Sequence, residues 1–362
     1  MTRALVLEGP RLLQLREEEL PPLQARDVRI RAVVSGISIG TELSLYRGSS
    51  AFGSSVFDRE LRAFVRPEPP KPAYPAPLGY ETVGVIEEIG TAVTEFAVGD
   101  LVHAGTPHGE QVVLDLEATA RTSYPLVRLP DGAPLERWLF VSLAAVALVA
   151  LHDARLKLGD HVAVVGLGAI GLLLVQMARM AGAERVTAIE PVASRRALAL
   201  ELGAHFVIDP GDSPDGAGAA LKRMAGRGAD VSVETSGNTE GLHGAIAAAG
   251  LGGTVVTVGF YQGGAPKLFL GEEWHHNRLD MVSSMGAWGA PHRSYPAWDR
   301  ARVMRTVVDL LATERLRVEG LGVKRFAFDE ALDAYRWLDA NPREAVKVAL
   351  SYNGRNRTSG GT

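Results

Sequence analysis

Gly166-Leu167-Gly168-Ala169-Ile170-Gly171 lies between an apolar run, Val162-Ala163-Val164-Val165, and an apolar stretch from Leu172 to Met180. In that setting each glycine has a physical task. Gly166 permits a tight turn, Gly168 lets a pyrophosphate approach the main chain with no Cβ in the way, and Gly171 lets a helix pack close to a strand. Ala169 and Ile170 complete the motif and count with the glycines as cofactor-binding. The helix N-terminus offers free N–H groups and a partial positive charge to the phosphates. A second strand, Arg185-Val186-Thr187-Ala188-Ile189, ends at Glu190. That acid stands about 20 residues past the glycines, where a carboxylate takes the hydroxyls of an adenosine ribose and repels a 2′-phosphate. NAD(H) is therefore favoured over NADP(H), with Arg195 and Arg196 just beyond the strand pulling the other way.

The elements that must hold these residues need a sizeable chain, and 362 residues with 46% hydrophobic and 22% charged suit a globular protein of two domains. A formal charge of −4 with no long basic run argues against nucleic acid as a partner. The absence of cysteine removes disulfides, thiolate metal sites and a cysteine nucleophile together. Met1 to Leu7 is too short for a signal peptide and reads as a first strand. The apolar stretch Trp138 to Leu151 is too short to span a bilayer and reads as a buried helix. No membrane partner and a cytoplasmic location are the expectation.

Val28-Arg29-Ile30-Arg31-Ala32-Val33-Val34 alternates outward charge with inward apolar groups, the pattern of a half-buried strand. Thr82 to Ile89 gives another, and Val98-Gly99-Asp100 turns into Leu101-Val102. These predict a small β-barrel-like domain over residues 1–150. Residues 48–77 are rich in Gly, Ser and Pro, including Pro67, Pro69, Pro70, Pro72, Pro75 and Pro77. They read as a surface lobe with one short helix, Asp58 to Val65. Beyond residue 153 strands near 162–165, 186–189, 205–208, 231–234, 254–258 and 281–284 alternate with helices starting near Ala169, Ser194, Gly216, Glu240 and Trp298. Such alternation predicts an α/β domain over 151–294, a parallel sheet covered on both faces. Short strands return around a helix from Asp329 to Leu338, so residues 295–353 complete the first domain. The tail, 354–362, is expected to be disordered.

With these elements in place, the chain resembles the medium-chain dehydrogenase/reductase superfamily along nearly its whole length. The landmarks occur in order: Ser35-Gly36-Ile37-Ser38-Ile39-Gly40-Thr41-Glu42, Pro77-Leu78-Gly79-Tyr80-Glu81-Thr82-Val83-Gly84, Val98-Gly99-Asp100-Leu101-Val102, Leu129-Pro130-Asp131-Gly132, Leu158-Gly159-Asp160, and Ala229-Asp230-Val231-Ser232-Val233-Glu234-Thr235-Ser236-Gly237. The resemblance implies a GroES-like β-barrel catalytic domain, a Rossmann domain with a doubly wound parallel sheet, and an active site in the cleft between them. It adds Ser236, Val258 and Gly259 to the cofactor-binding residues and gives Arg195 an alternative role, stacking on adenine. It also implies a homodimer or homotetramer, through the sheet edge near Met281 to Ser284.

Departures from the family pattern carry as much information. Zinc-using members have a cysteine where this chain has Ser38 or Ile39, depending on where an apparent one-residue insertion falls. They have Gly-His-Glu at Gly79-Tyr80-Glu81, and a third ligand near Ser142. The four-cysteine structural lobe is also missing. Serine and tyrosine hydroxyls are poor zinc ligands at neutral pH, and one carboxylate cannot hold the metal, so a zinc-free member is expected. Without a metal, a hydrogen-bond donor must polarise the substrate oxygen. Tyr80 is the first candidate, with Glu81, Thr41 and Ser38 behind it. Glu81, if buried, would orient the phenol or relay a proton. The alternatives are a tyrosine that only fills the space of the ion and a glutamate paired with an arginine.

His108, on a loop where relatives shape the substrate pocket, and His276 are weaker substrate candidates. His275 and His276, if in a strand, would face opposite sides and form no metal pair; an interface or surface role is the alternative. Leu45-Tyr46-Arg47-Gly48 ends in a Tyr-Arg-Gly that resembles the sugar- and polyol-acting branch. The leading expectation is a zinc-independent, NAD(H)-dependent oxidoreductase for a small-molecule secondary alcohol or ketone, such as a sugar, cyclitol or polyol. The alternatives are an NADPH-dependent quinone or enone reductase of the same superfamily, against which Glu190 argues, and a catalytically inactive NAD-binding protein.

Overall fold

A computed structural model of the protein describes residues 1–50, 55–58, 60–68, 73–120, 125–262, 264–286 and 297–352. The expected disorder of 354–362 lies outside them, as do Pro69, Pro70 and Pro72 of the lobe. The chain forms two units, Met1–Leu139 with Gly322–Thr362, and Phe140–Leu321. The boundaries thus fall at 139/140 and 321/322 where the sequence suggested 150/151 and 294/295. The helix Val141–Ala154 packs on Ala169–Met180 and on Arg300–Ala312, which draws all three into the second unit.

In the first unit the alternation around Val28 becomes the strand Asp27–Ile37, with Val28, Ile30, Ala32 and Val34 buried. Arg29 and Arg31 project from the other face and pair at 2.5 Å and 2.8 Å with Glu88 and Glu87 on the antiparallel neighbour Thr82–Ile89. The sheet runs Val127–Arg128, Leu101–Ala104, Thr82–Ile89, Asp27–Ile37, Lys347–Ser351, Val323–Ala327, with Gln111–Asp115 also pairing to Asp27–Ile37. Lys347–Ser351 lies antiparallel to Asp27–Ile37, with Val348 opposite Ile37. A residue near the end of the chain is thereby brought to where the helix Ile39–Arg47 begins. That helix and Ala331–Ala340 close the core over Leu5, Leu7, Ile37, Leu43, Tyr335 and Leu338.

Asp58 to Val65 is not a helix. Val56–Asp58 and Ala63–Val65 pair antiparallel, with Phe57 opposite Phe64 and ring centroids 5.3 Å apart. Asp58 Oδ1 accepts the N–H groups of Glu60 and Leu61, each at 2.8 Å. This local side-chain turn competes with the helical hydrogen-bond pattern.

In the second unit the six strands in chain order are His161–Val165, Arg185–Ile189, Phe206–Ile208, Ala229–Glu234, Ala249–Thr257 and Asp280–Ser283. They are all parallel and lie side by side in the order 3-2-1-4-5-6. This is the doubly wound arrangement that binds ligands at the carboxyl ends of its strands, where the order reverses. The apolar stretch at Trp138 is longer than it read. A 3₁₀ turn, Leu135–Phe140, joins Val141–Ala154 into 20 residues long and apolar enough to cross a membrane by length and composition. In this fold Trp138, Leu139, Phe140, Ala144, Ala147 and Ala150 are buried in the protein, as in a core helix.

Candidate functional site

Gly79 sets the geometry of the first cluster. Its φ is +103°, and a Cβ there would stand 2.8 Å from the backbone N of His108, so only glycine serves. The two residues after it then take different environments. Tyr80 is half-buried, and its Oη donates a short hydrogen bond to Ser38 Oγ and approaches Thr41 Oγ1 at 3.5 Å. Ser38 is the N-cap residue of the helix Ile39–Arg47, and Thr41 is exposed in its first turn. Three of the four expected catalytic residues thus come together through their hydroxyls.

Glu81 goes elsewhere. It is fully buried and accepts a hydrogen bond from the Lys347 ammonium, itself 1% exposed. The expectation that it orients or relays for Tyr80 is corrected: its Oε2 is matched to a cation from the last strand, and its Oε1 has no hydrogen-bond partner among the described residues. Burial, offset only in part by Lys347, holds the Glu81 carboxyl above its ordinary range. Gly36 makes room for the pair, since a Cβ there would lie 2.6 Å from Lys347 Cε and 2.7 Å from Glu81 Oε2.

Beneath the hydroxyls lies a second buried network. Glu42 Oε1 accepts the Ser38 backbone N–H at 2.7 Å, and Oε2 takes the Tyr335 phenol and lies 3.0 Å from His108 Nε2. His108 Nδ1 is 2.7 Å from Ser35 Oγ, which is 2.9 Å from Tyr352 Oη. Burial pushes Glu42 up, but His108, Tyr335 and the Ser38 N–H outweigh it and hold the carboxyl below its ordinary value. His108 is buried with both nitrogens engaged, so its ring does not touch substrate as expected. It acts inside the protein, holding Glu42 and through it the helix start that carries Ser38.

The second cluster lies at the carboxyl ends of the parallel sheet. Gly166 has φ +88°, and its Cβ would stand 2.8 Å from Ser236 N; a Cβ on Gly171 would meet the Gly166 carbonyl oxygen at 2.0 Å. Around Gly168 a Cβ would meet no atom of the described residues within 4 Å. It is the N-cap of Ala169–Met180 and, as a glycine, brings no side chain of its own to cap that helix. Ala169 and Ile170 form its half-buried first turn. The space, the glycine and the helix's first N–H groups fit a pyrophosphate. Glu190, 4% exposed, accepts the N–H groups of Leu167 at 2.7 Å and Val192 at 3.0 Å, which ties it to the glycine turn. Arg195 is half-buried on the helix Ala193–Glu201. Arg196 is held by Asp209 and by the Glu190 carbonyl, both at 2.7 Å.

Ser236, Val258 and Gly259 gather around a group the sequence reading passed over. Glu234, buried at the end of Ala229–Glu234, accepts from the N–H groups of Ser236 and Gly237, the Ser236 hydroxyl and the Tyr261 phenol. Its own carbonyl accepts Val258 N–H at 2.9 Å, and a Cβ on Gly259 would stand 2.8 Å from its Oε2. Burial raises the Glu234 carboxyl above its ordinary value against these donors. His276 joins neither cluster. It is exposed on a short helix, Glu273–His276, ahead of the strand Asp280–Ser283, with Nδ1 3.1 Å from the Glu272 carbonyl.

Lys347, Glu42, Tyr335, Tyr352, Glu234 and Tyr261 were not foreseen. Lys347 had a usable signal: a lone charge in Val346-Lys347-Val348-Ala349-Leu350, an otherwise apolar strand, needs a buried partner.

The fold and these two clusters define a pyridine-nucleotide dehydrogenase/reductase. Residues 24–122 match the model of the alcohol dehydrogenase GroES-like domain, and residues 169–301 that of zinc-binding dehydrogenases. The chain is 33% identical over 361 residues to the D-guloside 3-dehydrogenases of Shigella flexneri and Escherichia coli, covering 97% of this chain and 100% of theirs. It is 29% identical over 277 residues to (R,R)-butanediol dehydrogenase of Bacillus subtilis, covering 70% of this chain and 76% of the relative. The crystal structure of 2R,3R-butanediol dehydrogenase from Bacillus subtilis matches in fold with a TM-score of 0.77 at 24% identity, over 98% of this chain and 100% of that one. The chain belongs to the medium-chain dehydrogenase/reductase superfamily.

That family normally binds zinc, and the residues here do not fit the metal. Zinc takes thiolate, imidazole or free carboxylate donors, usually three or four together. Tyr80 and Ser38 present hydroxyls bonded to each other, and Glu81 is tied to an ammonium. Among the described residues no group of three or more His, Cys, Asp or Glu side chains is arranged to hold an ion.

Proposed function

We propose that the chain is a zinc-independent, NAD(H)-dependent dehydrogenase that interconverts a secondary alcohol and a ketone on a sugar, glycoside, cyclitol or polyol. The reading is carried by the hydroxyl cluster of Tyr80, Ser38 and Thr41, in which Tyr80 and Ser38 stand at positions the family resemblance gives to metal ligands, beside a carboxylate already neutralised by Lys347. The named relatives that act on a guloside and a butanediol support a hydroxylated substrate.

Bound nicotinamide supplies the hydride acceptor or donor. The protein's own residues handle the oxygen and its proton. Tyr80 Oη hydrogen-bonds the substrate oxygen. In the ketone direction the phenol O–H polarises the carbonyl. In the alcohol direction Tyr80 Oη takes the hydroxyl proton as it passes its own proton to Ser38 Oγ, from which the proton moves on by way of the neighbouring Thr41 hydroxyl. Glu81 serves as no base, because its charge is matched.

Glu190 supports NAD(H). A carboxylate has about four acceptor positions; Leu167 and Val192 use two, leaving the others for ribose hydroxyls. Arg196 is paired with Asp209 at 2.7 Å, a carboxylate that would compete with a 2′-phosphate for its guanidinium. The same reading includes a cytoplasmic homodimer or homotetramer with no nucleic-acid or membrane partner, its assembly to be measured by light scattering.

The test is turnover with NAD⁺ and NADP⁺ against glycosides, polyols and cyclitols, and of NADH and NADPH against quinones and enones, each with and without a chelator. NAD⁺-linked oxidation of a hydroxylated substrate that survives chelation is expected. Chelator-sensitive turnover, or activity confined to NADPH and enones, would overturn the proposal.

A further inference from the structure

Glu234 stands at the carboxyl end of the fourth strand, next to the strand that feeds the glycine turn. Its Oε1 accepts Ser236 N–H at 2.6 Å, Gly237 N–H at 3.1 Å and the Ser236 hydroxyl. Its Oε2 accepts the Tyr261 phenol, with Gly237 N–H at 3.3 Å. One carboxylate therefore knots the loop after the fourth strand to the loop after the fifth. The glycines around it leave it space: a Cβ on Gly241 would lie 2.9 Å from Oε1, and one on Gly259 would lie 2.8 Å from Oε2.

In a sheet of order 3-2-1-4-5-6 the two halves each take one mononucleotide of a dinucleotide. Strands one to three carry the glycine turn and Glu190, the adenosine side. The loops knotted by Glu234 belong to the other half. We infer that Glu234, through Ser236, Gly237 and Tyr261, is the positioning residue that shapes the nicotinamide half of the nucleotide site. This rests on the nucleotide-dependent reading of the chain. Its role is to fix loop backbone, so charge and geometry both matter. A glutamine in its place would turn an amide donor toward groups that are themselves donors.

Calorimetric titration with NADH and with ADP-ribose, which lacks nicotinamide, tests this on Glu234→Gln and Tyr261→Phe. For Glu234→Gln, NADH affinity is expected to fall about 10-fold, while ADP-ribose affinity stays within about twofold, since tenfold corresponds to one lost hydrogen-bonding interaction of moderate strength. For Tyr261→Phe a fall of about threefold in NADH affinity alone is expected. Equal losses for both ligands, or no loss for either, would overturn the inference. Should circular dichroism show Glu234→Gln unfolded, Tyr261→Phe decides by itself. Wild-type protein that binds neither ligand would sink the nucleotide reading as well, a result distinct from failure of the variants.

Discussion

Lys347 and Glu81 form a buried ion pair, 1% and 0% exposed, between side chains 266 residues apart in sequence. Removing one partner of such a pair strands a charge in a low dielectric, at a cost of about 3–5 kcal/mol, whereas replacing both by apolar groups is often neutral. Lys347→Met is therefore expected to lower unfolding free energy by about 4 kcal/mol. Glu81→Leu combined with Lys347→Met should recover most of it. Denaturant titration of the three variants measures this, and a single variant as stable as wild type would contradict the pairing.

Gly168 and Gly171 should separate binding from folding. Gly168→Ala meets no atom of the described residues within 4 Å and has an ordinary φ of −70°, so its melting temperature should match wild type. Its NADH affinity should drop about 10-fold or more, because the added methyl stands where phosphate approaches. Gly171→Ala drives a methyl onto a carbonyl oxygen and should lose about 1–3 kcal/mol of stability. Fluorescence titration and thermal melts on the same samples distinguish the two; a Gly168→Ala protein with full NADH affinity would remove the cradle assignment.

Glu190→Gln keeps an acceptor for Leu167 N–H but drops the charge. NADH binding should weaken about 10-fold, the scale of a hydrogen bond to a charged group, and NADPH binding should strengthen. Unchanged preference in competitive titration would show that the carboxylate does not choose the cofactor.

Tyr80→Phe deletes the phenol oxygen that bonds Ser38. Turnover should fall about 100-fold, with KM and NADH affinity little altered, as for loss of a group that handles the proton. Ser38→Ala should lose about 10-fold. Steady-state kinetics on the substrate found in the turnover screen decide it, and a Tyr80→Phe enzyme with normal kcat would move the chemistry elsewhere.

His103 is fully buried, and burial, with a smaller contribution from Lys347, brings its pKa from 6.5 down to about 3. Between those values the unfolded chain binds a proton that the folded chain refuses. Its contribution is complete above pH 6.5 and declines as pH falls toward 3, by about 1.4 kcal/mol per pH unit at most. His161, brought down to about 4 chiefly by burial, adds the same sign. Glu81 and Glu234, raised by burial, add the opposite slope above the ordinary carboxylate range. Comparing His103→Gln with wild type by urea titration at several pH values isolates the first contribution; parallel pH profiles would refute it.

What could be read in advance was what is local. Gly166 to Gly171, Glu190 and the alternating strands announce themselves within a few residues of chain. Tyr80 and Ser38 were legible because short motifs place them. Glu81 was legible as a residue and misread in its role, since its partner lies on the last strand. The Glu42, His108 and Tyr335 network has the same character, with Tyr335 lying 293 residues from Glu42. The hairpin at Phe57 and Phe64 read as a helix because an Asp-led turn leaves no periodic signature.

The strand Lys347–Ser351 closes the sheet that the first hundred residues begin, and the whole nucleotide-binding unit is threaded between them. During synthesis the inserted unit can mature while the flanking one waits, holding Glu81 with no cation and Ser35 with no Tyr352 phenol. Nascent chains halted before residue 340 should thus retain NADH on an affinity resin yet expose the 1–139 portion to protease, and release of residues 341–352 should make that portion resistant.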